Sequence, residues 1–133
     1  MRQFVQSETA ALLEKFSTKL EAAAGSADAH AIHDLRVSIR RLSRCLRVFS
    51  EYYPGHSWKK ARKQLSKLMD YAGAARDCDI AIELLAEAKV PASSRLIGTL
   101  QKRRQEAGED LQKASQRWND AGITKKWHKK LDL

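Results

Sequence analysis

Proline occurs twice and glycine six times in the 133 residues, so few positions break the backbone or free it. No segment alternates apolar and polar residues with the two-residue period of a strand, which argues against a sheet protein. No apolar run approaches the roughly 20 residues of a membrane-spanning helix, and none has the form of a secretory leader. A cytoplasmic location is therefore the expectation. Cys45 and Cys78 lack the C-x-x-C spacing of a zinc site, and reduced thiols within helices are expected. Aromatic residues number nine, three each of Trp, Tyr and Phe, and do not interleave with basic residues as a base-stacking platform requires. Trp58, Trp118 and Phe49 are expected in the core.

What remains is rich in Ala, Leu, Lys, Arg, Glu and Gln, a mixture that favours helices. Apolar residues recur in steps of three and four through four segments. The first runs from about Gln3 to Ala24, with Val5, Leu12, Phe16, Leu20 and Ala23 on one side and Gly25 at its end. Ser26 or Asp28 is placed to cap the second, which runs from Ala29 to Tyr53 and stops at Pro54-Gly55. Its seam is Ile32, Leu35, Ile39, Leu42, Leu46, Phe49 and Tyr53. The third begins near Ser57 with the seam Trp58, Ala61, Leu65, Leu68, Ala72 and Ala75. It is expected to break near Gly73 before resuming through Cys78, Ile82 and Leu85. The fourth is expected to start at Pro91 and end near Ala121, with Gly122 as its C-cap.

The connections are short, so the expectation is an all-α, antiparallel up-down four-helix bundle with long helices. One domain over residues 1–122 is expected, followed by a basic C-terminal tail over 123–133 as a short helix, frayed or docked.

The formal net charge is +9. Ten Lys and Arg lie between Asp34 and Lys67 against only Asp34 and Glu51, a local excess of eight. The tail adds Lys125, Lys126, Lys129 and Lys130 against Asp132. The rest of the chain is close to balanced. A local cationic device of this kind predicts an anionic partner.

The second segment shows how the device is built. One position beyond the apolar seam, His33, Arg36, Arg40 and Arg47 follow the same helical steps, and Arg41 and Arg44 widen the stripe. Arg36 to Arg47 extends about 16 Å along a helix at 1.5 Å per residue. A merely solvated face mixes signs at i,i+4, whereas this one places like charges there at some cost to helix stability. All five basic side chains from Arg36 to Arg47 are Arg, the residue that donates two parallel hydrogen bonds to a phosphate. The third segment supplies Lys59, Lys60, Arg62, Lys63 and Lys67. Lys60, Lys63 and Lys67 share a face and are expected to form the opposite bank of a groove. Arg104 occupies a seam position, where a guanidinium must reach the bundle edge, the acids Asp77 and Asp79, or an anion.

Two motifs can be set side by side. One is H-x-x-R-V-x-x-R-R at His33, Arg36, Val37, Arg40 and Arg41; the other is G-x-x-R-D-x-D-I at Gly73, Arg76, Asp77, Asp79 and Ile80. In this order and spacing the chain resembles the CHAD family, the conserved histidine α-helical domain. The resemblance covers all four segments. It implies a non-catalytic helical module that binds inorganic polyphosphate, with His33, Arg36, Arg40, Arg41 and Arg76 facing phosphate, and a location at polyphosphate granules.

Family members usually carry two four-helix halves related by a pseudo-two-fold axis. Here a single half is expected, and a homodimer would restore the two-fold surface. Asp77 and Asp79 are expected as structural support. With His33 they make too small a set for a metal, and no metal or cofactor is expected. Three other readings fit the same residues: a nucleic-acid-binding helical protein, though no helix-turn-helix or zinc-finger signature appears; a metal-dependent phosphoanhydride enzyme using Arg76–Asp79; and a plain interaction bundle.

Overall fold

The three-four spacing of the apolar residues becomes helix throughout. The structure, a computed structural model, describes residues 1–133 and contains no strand. Five α-helices follow in order: α1 (Arg2–Gly25), α2 (Ala29–Val48), α3 (Ser57–Glu87), α4 (Arg95–Asp120) and α5 (Ile123–Lys130). A 3-10 turn at Ser50–Tyr52 follows α2. Helix α1 packs against α2 and α4, α2 against α3, and α3 against α4, while α5 lies on α1 and α4. The result is a helical bundle around one core. No helix is long and apolar enough to cross a membrane.

The seams supply that core. Phe16, Leu20, Ile32, Leu35, Leu42, Leu46, Leu65, Leu68 and Leu111 are fully buried. At ~2 kcal/mol for each large side chain removed from water, this cluster drives the association of the helices. Leu13, not Leu12, is the fully buried leucine of the α1 seam before Phe16, and Leu12 packs at its edge. Phe49, Trp58 and Trp118 are half-buried against the cluster.

Three boundaries differ from the sequence expectation. Helix α3 passes through Gly73 without a break. Glycine costs about 1 kcal/mol relative to alanine inside a helix, and Gly73 lies between the good helix formers Ala72 and Ala74-Ala75, of which Ala72 and Ala75 are buried. That single cost is too small to interrupt a helix of 31 residues with a packed face.

Helix α2 ends at Val48, and the tighter 3-10 turn swings Tyr53 into the core. There its hydroxyl lies 2.6 Å from Thr9 Oγ1, which in turn donates to Val5 O at 2.7 Å. Burial raises the Tyr53 phenol pKa, and Cys45 beside it pushes the same way against the lowering effect of the Thr9 bond.

Helix α4 starts at Arg95, four residues after Pro91, because Ser94 provides an N-cap: its Oγ accepts from Leu96 N at 3.3 Å. Helix α3 meanwhile closes through bonds from Lys89 N to Ala86 O and Val90 N to Leu85 O, with Lys89 at φ +62°.

Two cap signals coincide with the structure. Asp28 caps α2 by accepting from Ala31 N at 2.8 Å. Gly122 sits at φ +64° where α4 ends. The basic stretch after it is the docked helix α5, held by buried Trp127 and Leu131.

The long helices are unequal, and no α3 residue beyond Ala75 is buried. Between Ile97 and Gly108 α4 buries none either. The end of α3 and the start of α4 therefore carry exposed apolar side chains, Ile80, Leu84 and Leu96.

Candidate functional site

With its seam turned inward, α2 directs its basic residues outward. His33, Arg40, Arg41, Arg44 and Arg47 are all exposed, and Arg36 is half-buried. The bundle then sorts them between two flanks. On the α3 side a groove of about 490 Å³ is lined by Arg40, Arg44 and Arg47 from α2 and Arg62 from α3. Ser43, Ser66, Ile39 and Met69 complete its walls. Arg62 Nε donates to Ser43 Oγ at 3.2 Å across the two helices. On the α1 side a smaller hollow of about 190 Å³ holds His33 and Arg41 with Lys15 and Lys19.

The ion pairs sharpen this picture. Only two Lys or Arg pairs occur in the protein, Lys19–Asp34 at 3.4 Å and Arg104–Asp79 at 2.7 Å, and the His30 imidazole lies 3.2 Å from the same Asp34 carboxylate. No guanidinium of α2 and no basic side chain of the first half of α3 has a carboxylate partner. The Arg36 Nε is buried and makes no hydrogen bond within the protein. Four guanidiniums thus share one groove whose walls contain no acid. Like charges that close raise the local positive potential and cost stability until an anion arrives.

The α3 bank of the groove is Arg62 and Ser66, not the expected lysines. Lys60 lies on the other flank of α3, where it lines a separate cavity with Lys130 of α5. Lys63 and Lys67 are exposed on α3 and lie outside the groove walls. Arg62 is the residue the seam pattern failed to single out. The available signal was that it is the only arginine in the basic run from Lys59 to Lys67. Lys15 and Lys19 had no such signal, since α1 is balanced in charge there.

Of the second motif, Asp79 does structural work, as the partner of Arg104. That side chain does not reach the groove: its Nε donates to Asp79 Oδ1 at 2.7 Å and its Nη2 to Ala27 O at 2.6 Å. It therefore ties α4 to α3 and to the turn between α1 and α2. Gly108, one turn on, leaves the space; a Cβ there would stand 2.7 Å from Arg104 Nη1. Asp79 gives the expected structural support through this tie, inside continuous α3. Asp77 is exposed and forms no ion pair. Arg76 is half-buried, without a carboxylate partner, and lines neither flank of α2. No group of three or more His, Cys, Asp or Glu side chains is placed to hold a metal ion.

Comparison with known proteins agrees with the motifs. The CHAD domain family model matches residues 9–132. No curated protein and no solved structure matches the chain. The family match takes in most of α1 and all of α2 to α5, including the basic stripe and the Arg104–Asp79 tie, and the chain accordingly belongs to the CHAD domain family.

Proposed function

We propose that this chain binds inorganic polyphosphate without turning it over, through the α2–α3 groove. CHAD domains are associated with polyphosphate-related proteins. The observation that carries the reading is the groove of Arg40, Arg44, Arg47 and Arg62, four guanidiniums with no carboxylate partner. Polyphosphate carries about one negative charge per phosphate and no bases to read, so a receptor needs a row of bidentate donors and little more. Arg36, half-buried one turn before Arg40, continues the same stripe of α2. His33 and Arg41, with Lys15 and Lys19, offer a second cationic bank on which a flexible chain can continue over α2.

Binding is favoured over hydrolysis by what lines the groove. It has no carboxylate to hold a metal over a phosphoanhydride, and Ser43 is engaged by Arg62. The same proposal includes the up-down order of the four long helices and a cytoplasmic site of action at polyphosphate. It also includes pairing of two copies, for which exposed Ile80, Leu84 and Leu96 provide an apolar surface. Titrating polyphosphates of graded length against wild type and Arg40→Gln/Arg44→Gln tests the reading. Affinity is expected to rise with chain length and to fall at least tenfold in the variant; equal affinity in the two proteins would refute it.

A further inference from the structure

The cavity between the start of α3 and α5 lies apart from the groove. It has a volume of about 340 Å³, and His56, Lys60, Gln64, Trp127 and Lys130 are among the residues that line it. No acid lines it, and neither Lys60 nor Lys130 pairs with a carboxylate anywhere in the protein. The two lysines are brought to one cavity by packing rather than by charge. Trp127 and Leu131 are buried in the core. Trp127 Nε1 donates to Gln64 Oε1 at 3.2 Å, and Ser57 Oγ donates to Lys130 O at 3.1 Å. These contacts fix α5 against α3 and hold Lys130 on the same cavity as Lys60 despite their repulsion. An oxyanion between them removes that repulsion and gains two charge-assisted hydrogen bonds, with the His56 imidazole as a third donor. Lysine suits this position because its ammonium is a compact point charge, matched to a small and highly charged phosphate group rather than to an extended row.

We propose that this cavity is a second anion site, which takes a small phosphate oxyanion and works independently of the arginine groove. Its size is at the lower end of the roughly 300–1,000 Å³ range of ligand pockets and fits a pyrophosphate-sized group. Free pyrophosphate and the end of a longer phosphate chain share this chemistry. The site gives α5 a role beyond closing the core, because Lys130 completes it.

The Trp127 indole N–H is a built-in reporter. In nitrogen-15 labelled protein, pyrophosphate is expected to shift the indole resonance and the amides of His56–Lys60 saturably, and sodium chloride at matched ionic strength is not. Lys60→Gln/Lys130→Gln, two exposed positions whose replacement leaves the core intact, is expected to weaken that response at least tenfold. Arg44→Gln/Arg62→Gln is expected to leave it within twofold, although the same variant impairs the groove. Adding long-chain polyphosphate at equal concentration of chain ends separates the sources. The same indole shift identifies chain ends as an occupant, and a shift with pyrophosphate alone identifies the free anion; either supports the site. The proposal is overturned if pyrophosphate gives no saturable shift beyond the salt control. It is equally overturned if the lysine variant responds as wild type, or if the arginine variant abolishes the response.

Discussion

Arg104 Nε donates to Asp79 Oδ1 at 2.7 Å, with both side chains about four-fifths buried, and this pair fastens three parts of the bundle at one point. Asp79→Ala strands a largely buried guanidinium, and a loss of ~2 kcal/mol is expected. Gly108→Ala drives a methyl into the same guanidinium and should also destabilise. Denaturant unfolding measures both. Because neither residue lies in the groove, affinity for polyphosphate in the folded variants should stay within about twofold of wild type.

Gly73 predicts the opposite sign. It lies inside continuous α3, and a Cβ built there meets nothing within 4 Å. Gly73→Ala should therefore stabilise by ~0.5–1 kcal/mol, through helix propensity and a less flexible unfolded chain. A thermal melt reads the change, and a lowered midpoint would show that the family motif needs glycine for another reason.

Tyr53 makes stability depend on pH at the alkaline end. Its phenol pKa lies above the ordinary value of 10.0 because burial disfavours the phenolate. The native state thus holds its proton where the unfolded chain releases it. The contribution is complete below pH 10 and is lost as the pH climbs from there toward the raised native value. Tyr53→Phe should cost ~1 kcal/mol at neutral pH by removing the Thr9 bond. Its deficit relative to wild type should shrink above pH 10, as measured by denaturant midpoints across that range.

The unpaired arginines predict a ligand-dependent melting temperature. Polyphosphate at a hundred times its low-salt Kd should add ~2.7 kcal/mol to the native state, and at that fixed concentration the gain should diminish steeply between about 50 and 200 mM salt as counterion release is suppressed. Duplex DNA at equal phosphate concentration should compete poorly. Displacement of polyphosphate at parity, charge for charge, would indicate a non-selective polyanion surface.

Much of this was legible because it is periodic. The α2 seam Ile32–Leu46 and the basic stripe one position beyond it share one helical period, so a buried face and a cationic face followed together. What was not legible is which neighbour each flank meets. Lys60 precedes and Arg62 follows the same buried residue, Ala61, and the bundle turns the first toward α5 and the second toward α2. Periodicity locates the core stripe but carries no information on the hand of the bundle, which is why Arg62 took the place expected for Lys60, Lys63 and Lys67. Gly73 misled for a different reason: a local propensity was weighed without the packing of Ala72 and Ala75 around it. Arg104 was open to the bundle edge, the acid pair or an anion, because periodicity does not say which helix its side chain meets; the fold brings it to Asp79, 25 residues away on another helix.

The groove itself is tested most directly by the Kd for long-chain polyphosphate in Arg44→Gln/Arg62→Gln, set beside a charge-matched control, Lys102→Gln/Lys113→Gln on exposed positions of α4. If the α2–α3 groove holds the polymer, the groove variant weakens binding at least tenfold, about 1.4 kcal/mol, and the control stays within about twofold. Equal weakening in both would mean that net charge alone attracts the polymer, and no weakening in the groove variant would place its site elsewhere.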